Sequence, residues 1–131
     1  MSKQVKCLII DDDIDDQEFF ALAVGNLGKE VEITITTAVH GREGLQKLNA
    51  NDLPHCIFLD LNMPIMNGKA FLQSVKTHPS YKSIPIYILS TSTSELERNE
   101  CLSLGAKNFL VKPTRIADLV KMLRNTVLAE L

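Results

Sequence analysis

The sequence predicts a single α/β domain with a three-layer, doubly wound architecture: five parallel strands covered by helices on both faces. Three observations carry this. Five short apolar, β-branched runs alternate with five helical stretches along 131 residues, the pattern of a parallel sheet with crossover helices. Four of the runs are continuously apolar, as strands buried on both faces are. The fifth, VEITIT (31–36), alternates apolar and polar residues and is expected at a sheet edge.

The elements follow in order. VKCLII (5–10) reads as a strand, and residues 13–27 as a helix with Ile14, Phe20, Ala23, Val24 and Leu27 near helical spacing. After the edge strand, HGREGLQKLNAN (40–51) is helical, CIFL (56–59) is a strand, and GKAFLQSVKTH (68–78) is helical. IPIYIL (84–89) is a strand, 93–104 a helix, and NFLV (108–111) a strand. In the last helix, 114–129, Ile116, Leu119, Val120, Leu123 and Val127 form one apolar stripe. Thr114, after Pro113, stands where an N-cap belongs. Ser94 and Glu97 fit a capping box.

Composition narrows the function. A net charge of −2 gives no electrostatic case for nucleic acid or an anionic membrane. No apolar run approaches the ~20 residues of a membrane span, and no signal peptide opens the chain, so a cytoplasmic location is expected. Cys7, Cys56 and Cys101 are odd in number and far apart, and read as buried free thiols. The length fits one domain, 1–131, with a core of its own.

In open α/β sheets ligands bind beyond the carboxyl ends of the strands. The first strand ends in Asp11-Asp12-Asp13, the third in Asp60, the fourth in Ser90 and the fifth in Lys112; the second offers nothing ionisable. Two like charges ~4 Å apart repel by about 4 kcal/mol at an effective dielectric near 20. Gathered acids therefore protonate, splay or take up a cation. Oxygen donors without histidine or cysteine favour a hard ion, and Mg²⁺ suits a site open to water and phosphate. Lys112 supplies a point charge for an anion and Ser90 a hydroxyl donor. The set points to phosphoryl transfer, in which a carboxylate can be the nucleophile. Asp13, Asp15, Asp16 and Glu18 are read instead as acids that favour a helix start.

LIIDDD at the first strand, FLDLNMPIMNG after the third, ILSTS after the fourth and GAKNFLVKPT around the fifth appear together in one order. In these motifs the chain resembles, over essentially residues 5–128, the receiver domain of two-component response regulators, of the stand-alone type similar to the chemotaxis protein CheY. The resemblance implies the strand order 2-1-3-4-5 of the flavodoxin-like fold. It implies Asp60 as phospho-acceptor, and Asp11 and Asp12 as the acidic pair for Mg²⁺, with Asp12 the direct ligand and Asp11 acting mainly through water. It further implies a metal contact from the Asn62 backbone carbonyl, a switch hydroxyl at Ser90, and Lys112 against the phosphoryl oxygens. A cis bond is implied between Lys112 and Pro113. Two positions depart from the family pattern: Ser90 stands where threonine is usual, and Phe109 where the switching aromatic is often tyrosine.

The resemblance implies a switch that catalyses only its own phosphorylation and dephosphorylation. Its phosphodonor is a histidine kinase or phosphotransfer protein. With no output domain expected after residue 131, signalling runs through protein contacts of the 93–129 face, with a downstream partner, a phosphorelay or a homodimer as outcomes. Two other readings stay open. One is a degenerate receiver acting as a constitutive binding module. The other is a phosphatase of the haloacid dehalogenase type, which requires a second acidic motif after the lysine strand, where only Asp118 and Glu130 follow.

Overall fold

A computed structural model describes residues 3–27 and 31–130. The chain runs β1 (Lys3–Ile10), α1 (Ile14–Gly25), β2 (Val31–Ala38), α2 (Gly41–Gln46), β3 (Cys56–Leu59), α3 (Gly68–Lys76), β4 (Ile86–Ser90), α4 (Glu95–Ser103), β5 (Asn108–Val111) and α5 (Ile116–Leu128). The strands form one parallel sheet in the order β2-β1-β3-β4-β5.

Side chains alternate faces along a strand, so each central strand feeds two cores. Leu8 and Ile10 of β1, Ile57 and Leu59 of β3, and Ile86 and Ile88 of β4 share one face with Phe71, Leu72 and Val75 of α3. Cys7 and Ile9, Phe58, and Tyr87 and Leu89 share the other with Phe20 of α1 and Leu119, Leu123 and Val127 of α5. Phe58 anchors this second core, edge-on to Phe20 at 5.0 Å and stacked on Tyr87 at 5.6 Å. The three cysteines are buried and free, as expected, with the Cys7 and Cys56 sulfurs 3.3 Å apart on neighbouring strands.

The edge position of β2 agrees with its alternating sequence. β5 is the other edge despite its apolar run: Phe109 is buried while Val111 is 45% exposed. Most element boundaries differ from the sequence reading by a residue or more, and three of the differences have a local cause. α2 stops at Gln46, because the Asn49 side chain accepts the Asn51 N–H and its carbonyl accepts the Asp52 N–H, closing a turn. β4 starts at Ile86, since Pro85 has no N–H to give the ladder, although its carbonyl still accepts the Ile57 N–H at 2.9 Å. α5 is capped by Arg115 rather than Thr114. The Arg115 carbonyl accepts the Leu119 N–H, which leaves Thr114 one residue too early, and no side chain caps this end. The capping box is half formed: Ser94 Oγ accepts the Glu97 N–H at 3.3 Å, but Ser92 Oγ, not Glu97, accepts the Ser94 N–H.

Gly68 couples the fold to the strand ends. A Cβ there would stand 2.5 Å from the Asp60 carbonyl oxygen and 2.7 Å from the Leu61 Cα. Both are backbone atoms, so the added methyl forces α3 away from β3. Gly68→Ala is expected to destabilise the protein by about 1–3 kcal/mol, read as a lowered urea midpoint.

Candidate functional site

The parallel order brings the ends of β1, β3, β4 and β5 to one rim, and backbone bonds lock them there. The Asp11 N–H donates to the Ala38 carbonyl, the Asp60 N–H to the Ile10 carbonyl, and the Lys112 N–H to the Ser90 carbonyl. Gln17 of α1 donates its amide to the Asp11 carbonyl at 2.7 Å and the Ala38 carbonyl at 3.2 Å, tying the helix start to two strand ends.

Asp11, Asp12 and Asp60 lie with one carboxylate oxygen each inside a 4.8 Å cluster. Asp11 and Asp60 are only 6% and 9% exposed while Asp12 is exposed, so the cluster opens to solvent on one side. That side is a cleft lined by Asp12, Asn62, Met63, Asn67 and Lys69. Burial pushes the Asp60 carboxyl up from its ordinary 3.8 to about 6; Lys112 pulls it down, and Asp11 and Asp12 push it up further. Asp11 is also raised, chiefly by burial, against the pull of the Asp13 N–H and of Lys112. Burial alone would lower the Lys112 pKa, but bonds to Asp16 and Asp11 outweigh it and raise the pKa. Two buried acids held above their usual range, beside a third, fit a hard divalent cation through oxygen donors.

The Lys112 ammonium lies 2.9 Å from Asp11 Oδ2, 2.7 Å from Asp16 Oδ2 and 3.7 Å from Asp60 Oδ1. Asp60 Oδ1 accepts the Leu61 N–H at 3.0 Å. Ser90 is fully buried and its Oγ accepts the Ser92 N–H at 3.1 Å. Phe109 is packed inside the first core. In the loop after Asp60, Ile65 takes a left-handed φ of 66°, a strained conformation for a β-branched residue. Asn67 then caps α3 by accepting the Ala70 N–H.

Two readings of single residues change. No cis peptide bond occurs among the described residues, so Lys112–Pro113 is trans; trans is the default by ~0.5–1 kcal/mol even before proline, and Lys112 reaches Asp11 with it. Asp16 is more than a helix-start charge. Asp13 is the N-cap, accepting the Asp15 and Asp16 N–H groups, while the Asp16 carboxylate reaches Lys112. The signal was available in principle: side chains in a first helical turn lean toward the helix N-terminus, which here abuts the end of β1. The acids after the lysine strand do not join the cluster. Asp118 is exposed on α5, and Glu130 pairs with Lys107 and Tyr87.

The response regulator receiver domain family model matches residues 7–124. A probable chemotaxis protein CheY of Rhizobium etli is 33% identical over 116 residues, covering 88% of this chain and 87% of the relative. Among solved structures, the chemotaxis response regulator CheY4 of Vibrio cholerae is 34% identical with a TM-score of 0.77, over 94% of this chain and 98% of that one. The CheX–CheY–BeF₃–Mg²⁺ complex from Borrelia burgdorferi matches at 25% identity and TM-score 0.78, over 94% and 89% of the two chains. No described helix is long and apolar enough to cross a membrane. With strand order, acidic rim and family match in agreement, the chain belongs to the response regulator receiver domain family.

Proposed function

We propose that this chain is a signalling switch set by phosphorylation of Asp60 in a Mg²⁺-dependent reaction. The observation that carries it is one buried carboxylate set between two acids and a lysine: Asp60, clustered with Asp11 and Asp12 within 4.8 Å and 3.7 Å from the Lys112 ammonium. An oxygen of Asp60 attacks the phosphorus of a phosphohistidine on a kinase or phosphotransfer protein. The P–O bond forms as the P–N bond breaks, and the imidazole leaves with the electron pair. Asp11, Asp12, Asp60 and the Asn62 carbonyl would hold the cation, which supplies charge neutralisation for the transferring group when bound. Lys112, 3.7 Å from Asp60, adds a fixed positive charge beside the transferring group.

The acyl phosphate puts about two negative charges where the resting protein has one. Among the described residues Ser90 Oγ accepts the Ser92 N–H and donates to no partner, so its hydroxyl proton can turn to a phosphoryl oxygen. Turning the hydroxyl toward Asp60 draws in the loop after β4, and Phe109, already packed in the first core, repacks behind it. The surface of residues 93–129 is thereby biased between two arrangements, and a downstream protein reads it. The chain changes only its own phosphorylation state and turns over no separate substrate.

Intact-mass spectrometry with acetyl phosphate tests this. The expected result is a gain of one phosphoryl group in Mg²⁺ and none in excess EDTA. Equal uptake in EDTA, or none in Mg²⁺, contradicts the reading.

A further inference from the structure

Lys112 is hydrogen-bonded to Asp16 at 2.7 Å and to Asp11 at 2.9 Å, but stands 3.7 Å from Asp60, beyond hydrogen-bond reach. The resting ammonium is thus committed to two acids that are not the nucleophile. Of these, Asp11 belongs to the proposed cation cluster, and a cation there weakens its hold on the lysine. Asp16 is outside that cluster and remains. Its helix start is pinned: Asp13 accepts the Asp16 N–H, and Gln17 is bonded to the ends of β1 and β2. The Asp16 backbone therefore cannot follow Lys112 toward a group on Asp60.

We propose that Asp16 is a positioning residue that competes with the phosphoryl group for Lys112, holding the ammonium away from Asp60 until a phosphoryl group displaces it. This rests on the switch reading above. Neutralising Asp16 has two consequences of opposite sign. The freed ammonium settles on Asp11 and Asp60, and one negative charge leaves the rim, so Mg²⁺ alone binds more weakly. Once Mg²⁺ saturates the site, a tetrahedral phosphoryl analogue meets a lysine with no competing partner and binds more tightly. A residue that serves only the helix dipole has no such split effect.

Titration calorimetry with Mg²⁺ alone, then with beryllofluoride at saturating Mg²⁺, tests it on the wild type, Asp16→Asn and Asp15→Asn. Asp15 is a first-turn acid of the same helix, exposed and bonded to no described lysine. Asp16 is itself 40% exposed, so each effect is modest. The expected result for Asp16→Asn is a 2- to 5-fold weaker Mg²⁺ affinity and a roughly 2- to 5-fold tighter beryllofluoride affinity, the scale of a solvent-exposed ion pair. Asp15→Asn leaves the beryllofluoride affinity within about twofold of wild type. Unchanged affinities in Asp16→Asn, shifts of one sign, or the same split in Asp15→Asn overturn the proposal while the switch reading stands. Failure of the wild type to bind beryllofluoride at saturating Mg²⁺ overturns both.

Discussion

Asp60→Asn accepts no phosphoryl group and, without metal, is more stable than the unsubstituted protein at neutral pH. The first effect follows from the loss of the nucleophilic oxygen. The second follows from the electrostatics of the rim. The native Asp60 carboxyl holds its proton up to about pH 6, against an ordinary 3.8. A carboxyl raised on folding binds protons more tightly in the native state, so its stabilising proton is lost as pH rises through the folded value. Between pH 4 and 6 the wild type therefore loses stability that Asp60→Asn does not. A displacement of that size, which already contains the attraction to Lys112, corresponds to about 3 kcal/mol at most, so about 1–3 kcal/mol is expected. The amide oxygen still accepts the Leu61 N–H that Asp60 Oδ1 accepts now. Denaturant unfolding in EDTA at pH 4.5 and pH 7.5 checks this: the advantage of the variant is expected to grow with pH, and a constant advantage contradicts it.

Lys112→Ala moves stability the other way. The ammonium is 15% exposed and faces Asp11, Asp16 and Asp60. Removing it leaves two buried carboxylates without their cation, a class of change that costs several kcal/mol. Because the Asp11 and Asp60 carboxyls, both raised by burial, can take up protons in the variant, and Asp16 is 40% exposed, about 2–4 kcal/mol is expected at pH 7.5. The loss shrinks toward pH 5 as Asp60, raised to about 6, takes up its proton. Lysine itself contributes no pH dependence in this range, since its raised pKa keeps it charged on both sides of neutrality. Asp60→Asn in the Lys112→Ala background recovers part of the loss, with a coupling of ~0.5–3 kcal/mol. Urea midpoints of the four proteins at the two pH values supply the cycle; additive effects would mean that Lys112 and Asp60 do not share a field.

What the sequence showed and what it hid divide along one physical line. Strand-end positions are set by hydrophobic runs, and a run reports its own length; Asp11, Asp60 and Ser90 therefore sat where LII, CIFL and IYIL stop. The sheet order then converts four sequence positions into one cluster, and topology alone guarantees that. Reach across elements is different. Asp16 meets Lys112 over 96 residues of separation, through a side-chain direction that no periodicity encodes. The cap of α5 and the isomer of the Lys112–Pro113 bond differ from alternatives by about 1 kcal/mol, too little for a local pattern to decide. The end of α2 was closer to legible, since Asn49 and Asn51 are poor helix formers.

The most direct measurement is the location of the acyl phosphate. The protein is phosphorylated with acetyl phosphate in Mg²⁺, quenched, reduced with borohydride at the labile acyl group, digested and sequenced by tandem mass spectrometry. A single reduced residue at position 60 is expected. Reduction at position 11, 12 or 16 instead, with Asp60 untouched, would contradict it.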